Sequence, residues 1–231
     1  MRKYDILIFD LDDTLFDFKA SEQVALAKLF AAYQIEFIEK NINQYKEINH
    51  GLWKQLETGE ISREDVLHTR FQTFLKLHHH DVDGKQVDER YRDLLTQEVH
   101  LLPDAITTLT QLKAMGYKLV AGTNGAGVTQ KRRLTNSNLI EFFDELFISE
   151  ELNVEKPHKA FFETIFTTCH VVDKRKILMI GDNIDADILG AIQSGIDSIW
   201  MNHLNKTATR DGFTHEVKSL KEVVALLTNE A

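Results

Sequence analysis

Asp5-Ile6-Leu7-Ile8-Phe9-Asp10-Leu11-Asp12-Asp13-Thr14-Leu15 opens the chain with a short apolar run that ends in carboxylates. Ile6 to Phe9 are apolar without alternation, the pattern of a parallel strand covered on both faces. The C-terminal end of such a strand is where open α/β sheets hold their ligands. Asp10 and Asp12 lie two apart, so an extended chain projects both to one side. Read alone, the stretch fits a solvated acidic turn as well as a ligand site. The rest of the chain decides between them.

Beyond Leu15 the periodicity turns helical for about eighty residues. Leu26, Leu29, Phe30 and Tyr33 follow an amphipathic rhythm, and Tyr45, Ile48, Leu52 and Leu56 share one face of a second helix. Thr58-Gly59-Glu60 breaks that helix, and Ser62 with Asp65 has the spacing of an N-cap pair opening a third, with Leu67, Phe71, Phe74 and Leu75. A fourth helix carries Val87, Tyr91, Leu94 and Leu95. Four helices with short connections form an antiparallel bundle. From Leu101 onward strands and helices alternate: Lys118–Gly122, Glu145–Ile148, Ile177–Ile180 and Ser198–Met201 read as strands, the signature of a parallel sheet. The expected fold is therefore α/β, a Rossmann-like parallel sheet with an inserted four-helix cap. Residues 1–16 and 101–231 form the core and 17–100 the cap, which is expected to act as a lid that excludes water.

Composition bounds the function. A formal net charge of −9 argues against a nucleic-acid polymer as partner, because such affinity rests on clustered Lys and Arg. No apolar run approaches membrane-spanning length, and Asp5 and Asp10 interrupt any signal-peptide core. The single cysteine, Cys169, suits a reducing cytoplasm and reads as a small half-buried helix residue. His78-His79-His80 reads as an exposed loop, since three consecutive residues cannot face one metal from a regular element. Lys131-Arg132-Arg133 reads as a solvated basic patch on a helix.

Four strand ends carry complementary polar groups. The first offers Asp10 and Asp12, and the second Thr123 with the Asn124-Gly125 loop, whose amides can form an anion nest. Lys156 stands before Pro157 at the approach to a helix. The fourth offers Asp182 and Asp187. Carboxylates converging on one crevice repel unless a cation sits among them, and an all-oxygen donor set selects Mg²⁺. Thr123, the loop amides and Lys156 suit a phosphoryl group beside that metal.

Asp10-Leu11-Asp12-Asp13-Thr14-Leu15, Thr123-Asn124-Gly125, Lys156-Pro157 and Gly181-Asp182 with Asp187 resemble, in order and across nearly the whole chain, the motifs of the haloacid dehalogenase superfamily of phosphatases. The resemblance implies that Asp10 is the nucleophile forming an aspartyl phosphate and Asp12 the general acid and base. It implies a Mg²⁺ held by Asp10, the Asp12 carbonyl and Asp182, with Asp187 in an orienting role. Thr123 and Lys156 would hold the transferred phosphoryl oxygens. Asp12 favours phosphate transfer over the dehalogenase branch, while Asp13 reads as a turn residue and Asp185 as a helix cap.

The cap stretches Tyr45–Asn49, Leu52-Trp53, Gly59–Ile61 and Arg70-Phe71, with Leu146–Glu151, look like bacterial nucleoside 5′-monophosphatases acting on pyrimidine and non-canonical nucleotides. That resemblance implies a small phosphorylated metabolite, a nucleoside monophosphate, as partner. Phe18, Asn49, Trp53 and Arg70 are the candidates for reading it, with bundle core the competing role for Trp53 and a surface ion pair for Arg70. The alternatives are a sugar-phosphate phosphatase, a phosphomutase, or a phospho-receiver switch that is not an enzyme.

Overall fold

Ile6–Phe9 form strand β1, and the reason for their unbroken apolarity lies in the two layers around them. Leu7 and Phe9 pack into a cluster with Leu119, Ala121, Leu178 and Ile180. Ile8 faces the opposite layer with Val120, Met179, Phe161, Phe162 and Ile165. The computed structural model describes residues 2–229, the side chain of Glu57 excepted. Met1, Glu230 and Ala231, the ends of the expected core, lie outside the described residues. The chain divides into two compact units, Met1–Lys19 with Val99–Ala231 and Ala20–Glu98. No helix among the described residues is long and apolar enough to cross a membrane.

After β1 come four helices, α1 (Phe18–Ala32), α2 (Glu39–Glu57), α3 (Arg63–Leu77) and α4 (Gly84–Gln97). The α/β part continues with α5 (Ala105–Ala114), β2 (Lys118–Thr123), α6 (Gly127–Asn136), β3 (Glu145–Ile148), α7 (Ser149–Leu152) and α8 (Lys159–Thr168). It closes with β4 (Ile177–Gly181), α9 (Leu189–Ser194), β5 (Asp197–Met201), β6 (His215–Val217) and α10 (Leu220–Asn229). Among the described residues these strands form one six-stranded sheet in the order β3-β2-β1-β4-β5-β6. Every pairing is parallel, with Ile6 opposite both Lys118 and Ile177. Strand order reverses between β1 and β4, so the ends of β2, β1 and β4 flank the switch point where such sheets bind ligands.

In the helical unit, the i, i+3, i+4 apolar positions meet as an aromatic cluster. Phe30 stacks on Phe74 with ring centroids 4.8 Å apart, and Tyr45 on Phe71 at 5.0 Å. The Ser62–Asp65 pair is a reciprocal capping box at the start of α3, as its spacing predicts. Gly59 takes φ 75°, which stops α2 at little steric cost. Of the histidine run only His79 is exposed. His78 lies 3.0 Å from Gln44 Oε1 and His80 packs on the Tyr33 ring, so two of the three are packing residues.

Four local features depart from the sequence reading. Strand β6 is a three-residue edge of which only Val217 is buried, too short to show a period. A four-residue helix, α7, follows β3 directly. Asn183, not Asp185, caps the helical segment after β4, accepting hydrogen bonds from the backbone N–H groups of Asp185 and Ala186 at 2.9 and 3.0 Å. Asp185 instead pairs with Arg210 at 2.6 Å. The first turn of that segment, Ile184–Ile188, is π-helical.

Candidate active site

Asp10 follows the last residue of β1, and the neighbouring strands surround it with partners. Its N–H donates to the Ile180 carbonyl at 2.9 Å, fixing the backbone beside β4. Lys156 Nζ donates to Asp10 Oδ1, to Asp187 Oδ1 and to the Gly122 carbonyl, each at 2.6 Å. Carboxylate oxygens of Asp10, Asp182 and Asp187 lie within 4.8 Å of one another. Asp187, expected beside the ligands and not among them, thus contributes a carboxylate to the same group. It gets there through the π turn, with Asp187 Oδ2 accepting from the Asn183 N–H at 3.0 Å. The turn also explains Gly181, because a Cβ there would meet Asp187 Oδ2 at 2.3 Å.

The charges in this group do not cancel. Three clustered carboxylates face buried Lys156 and half-exposed Lys206, whose Nζ lies 3.1 Å from Asp182 Oδ2. Burial pushes the Asp10 carboxyl well up, opposed by Lys156 and reinforced by Asp187 and Asp182. Burial alone would lower the Lys156 ammonium, but Asp10 and Asp187 outweigh it and hold the lysine charged. Burial, with Asp187 next, raises Asp182 to about 6 despite Lys206. An oxygen-only set with surplus negative charge fits a hard divalent cation, and among the described residues no His or Cys joins the group.

The shift at Asp182 makes a testable statement about metal-free protein. Its raised pKa keeps the folded chain protonated where the unfolded chain has already ionised. Stability is therefore lost as pH rises from about 4 to about 6, and the full penalty stands above that. Asp182→Asn is expected to gain about 2–3 kcal/mol in urea melts with chelator at pH 8. That gain should vanish below pH 4, whereas a pH-independent difference would contradict the burial argument.

Thr123 ends β2 with its hydroxyl directed by two donors. Gly125 N–H donates to Oγ1 at 3.0 Å and Gln130 Nε2 at 3.1 Å. A hydroxyl has two acceptor positions and one proton, so filling the former turns the proton outward. The Gly125 N–H, expected to face an anion, is committed to Thr123. Asn124 ties its loop to the lysine loop: its Nδ2 donates to the Lys156 carbonyl and its Oδ1 accepts from the Lys156 N–H, both at 2.9 Å. Lys156 is thereby placed by side-chain bonds from the neighbouring strand end, three residues ahead of α8.

Asp12 points elsewhere than the acid group. Its Oδ1 receives Arg133 Nη1 and its Oδ2 receives Gln130 Nε2, the latter at 2.7 Å. Asp13 takes φ 55° and accepts the Phe18 N–H at 3.2 Å, the turn role expected of it. Gln130 and Arg133 were missed by the sequence reading, and Arg133 corrects it. It is 1% exposed, not part of a solvated patch. The available signal was their i, i+3 spacing on the helix after Thr123, which puts both on one face.

The remaining candidates have internal partners. Phe18 lies 5.6 Å from the Arg133 guanidinium. In the helical unit, Asn49 Oδ1 accepts from Trp53 Nε1 at 3.1 Å and from Arg70 Nη1 at 3.3 Å, so those three do meet. Arg70 is not at the surface. Its guanidinium lies 5.0 Å from the centroids of both the Phe71 and Tyr91 rings and donates from Nε and Nη2 to Asp88 Oδ1 at 2.8 and 2.5 Å. Asp88, absent from the sequence reading, is the buried acid that fixes it.

The family model for haloacid dehalogenase-like hydrolases matches residues 4–195. Pyrimidine 5′-nucleotidase PynA of Streptococcus pneumoniae is 38% identical over 97% of this chain and 95% of its own. Pyrimidine 5′-nucleotidase YjjG of Escherichia coli is 30% identical over 97% and 98%. The crystal structure of HAD-hydrolase YfnB from Bacillus subtilis, bound to magnesium, superposes with a TM-score of 0.90 at 35% identity, covering 98% of this chain and 99% of that one. With the family model spanning most of the chain, and Lys156 bonded to the acids gathered beside the ends of β1 and β4, this protein belongs to the haloacid dehalogenase-like hydrolases.

Proposed function

We propose that this hydrolase is a Mg²⁺-dependent phosphomonoesterase that works through an aspartyl phosphate at Asp10 and takes nucleoside 5′-monophosphates as substrates. The observation that carries the reaction is Asp10 itself: a buried carboxylate held by Lys156 at 2.6 Å, beside two further acids. Asp10, Asp182 and Asp187, with the Asp12 carbonyl, would hold Mg²⁺, which when bound offsets carboxylate charge and polarises phosphoryl oxygens. The nucleotide assignment is supported by the two relatives named pyrimidine 5′-nucleotidase.

The chain's own residues then divide the work. Lys156 fixes the rotation of the Asp10 carboxylate, whose oxygen attacks phosphorus. The P–O5′ bond breaks with its electron pair going to O5′, which takes a proton from Asp12. Thr123 donates its hydroxyl proton to a phosphoryl oxygen, and Lys156 offsets the charge gathering there. In the second half Asp12 takes a proton from water as the water oxygen attacks phosphorus. The bond to Asp10 breaks, inorganic phosphate leaves, and both aspartates are restored.

A phosphate-release screen with Mg²⁺ over nucleoside 5′-monophosphates and sugar phosphates tests this. Pyrimidine nucleotides are expected to show the highest kcat/KM, and chelator to abolish release. Release from sugar phosphates alone would overturn the substrate class, and release from no monoester would overturn the reaction.

A further inference from the structure

Arg133 is a buried cation with no part in the proposed reaction. Arginine is almost never fully buried without pairing. Its ionic partner is the Asp12 carboxylate, reached through Nη1, which also donates to Gln130 Oε1 at 3.0 Å. The guanidinium lies over the Phe16 ring at 4.3 Å and near Phe18, while Nε and Nη2 have no hydrogen-bond partner among the described residues. A position needing only bulk would be filled at lower desolvation cost by methionine. What arginine adds is a rigid planar fork with one arm on Asp12.

Gln130 completes the grip. One N–H of its amide goes to Asp12 Oδ2 and the other to Thr123 Oγ1. Both Asp12 oxygens are therefore held by side chains one turn apart on α6, and the same amide reaches the hydroxyl assigned to the phosphoryl group. Gly125 leaves room for this, since a Cβ there would meet Gln130 Nε2 at 2.3 Å.

We infer that Arg133, clamped on Phe16 and Phe18 and coupled to Gln130, is a positioning residue that orients the Asp12 carboxyl group, which in its protonated form gives its proton to the leaving oxygen. The inference rests on the acid/base reading of Asp12. It also assigns Phe18 a role in holding this arginine, in place of substrate recognition.

The test exploits the leaving group. An alkoxide such as O5′ of a nucleotide needs a proton as it departs, whereas p-nitrophenolate leaves without one. In Arg133→Met, kcat/KM, which reports formation of the aspartyl phosphate and not its hydrolysis, is expected to fall at least about 30-fold further on a nucleoside 5′-monophosphate than on p-nitrophenyl phosphate, less than the about 10²–10⁴-fold that a general acid itself contributes. Asp12→Asn run in parallel should show the same split. Equal falls in Arg133→Met with a split in Asp12→Asn would overturn the positioning role and leave Asp12 standing. No split in Asp12→Asn would remove the acid reading and the inference with it. If Arg133→Met does not fold, Arg133→Lys keeps charge and stem but not the fork. A split in the same direction then supports the inference, and its absence overturns it.

Discussion

Replacing Lys156 by methionine is expected to destabilise metal-free protein by about 3–5 kcal/mol at pH 8, the usual cost of removing one partner from a buried ion pair. Lys156 Nζ is bonded to two carboxylates and a carbonyl, and its side chain and that of Asp187 are each 1% exposed. Methionine fills much of the volume, so the loss reports charge more than cavity. The variant leaves Asp10 and Asp187 facing each other without a counter-charge. Asp10 already sits well above the usual carboxylate range because of burial, and loss of Lys156 removes the main influence opposing that rise. Acid should therefore rescue the variant: protonating the cluster removes the repulsion, so the deficit against wild type shrinks as pH falls from 8 to 5. Urea melts in chelator at several pH values measure it. A deficit below 1 kcal/mol at pH 8 would mean the site relaxes or hydrates around the lost charge.

Asp10→Asn separates chemistry from folding in the opposite direction. Turnover of any phosphomonoester is expected to fall by at least about three orders of magnitude, because loss of a nucleophile leaves only binding and electrostatic assistance. The amide keeps an oxygen to accept from Lys156, so the lysine stays bonded. One negative charge leaves a crowded group, and the metal-free variant should be at least as stable as wild type at pH 8. The pairing of lost activity with retained or raised stability is the signature, measured by phosphate release and denaturation on the same preparation. Full activity in Asp10→Asn would remove the aspartyl-phosphate mechanism.

The elements most legible in the sequence were those whose pattern follows from local physics. Ile6–Phe9 are apolar because both faces of β1 are covered, and burial on two sides leaves an unbroken run. The helices of the inserted unit announced themselves by period and by the Ser62–Asp65 box. Strand ends marked by Asp10, Thr123 and Asp182 were readable because a parallel sheet brings every C-terminal strand end to the same edge. The π turn and β6 were not, since the first depends on a single extra residue in a helical turn and the second on pairing with β5 alone.

Residue types at and after the strand ends, and therefore the acids, hydroxyl and lysine available there, follow from the order of residues along the chain. What only the tertiary structure decided is how each charge is spent. Lys131-Arg132-Arg133 is one basic run in sequence, yet helical rotation puts Arg133 into the interior on Asp12 while its two neighbours face solvent. Arg70 was likewise ambiguous until Asp88, eighteen residues on, met it in the buried seam of the helical unit. Ion pairing is set by distances between side chains far apart in sequence, and no local period records it. The carboxylates of the opening stretch part ways for the same reason: Asp10 faces Lys156 and two acids, while Asp12, two residues on, is turned by Gln130 and Arg133.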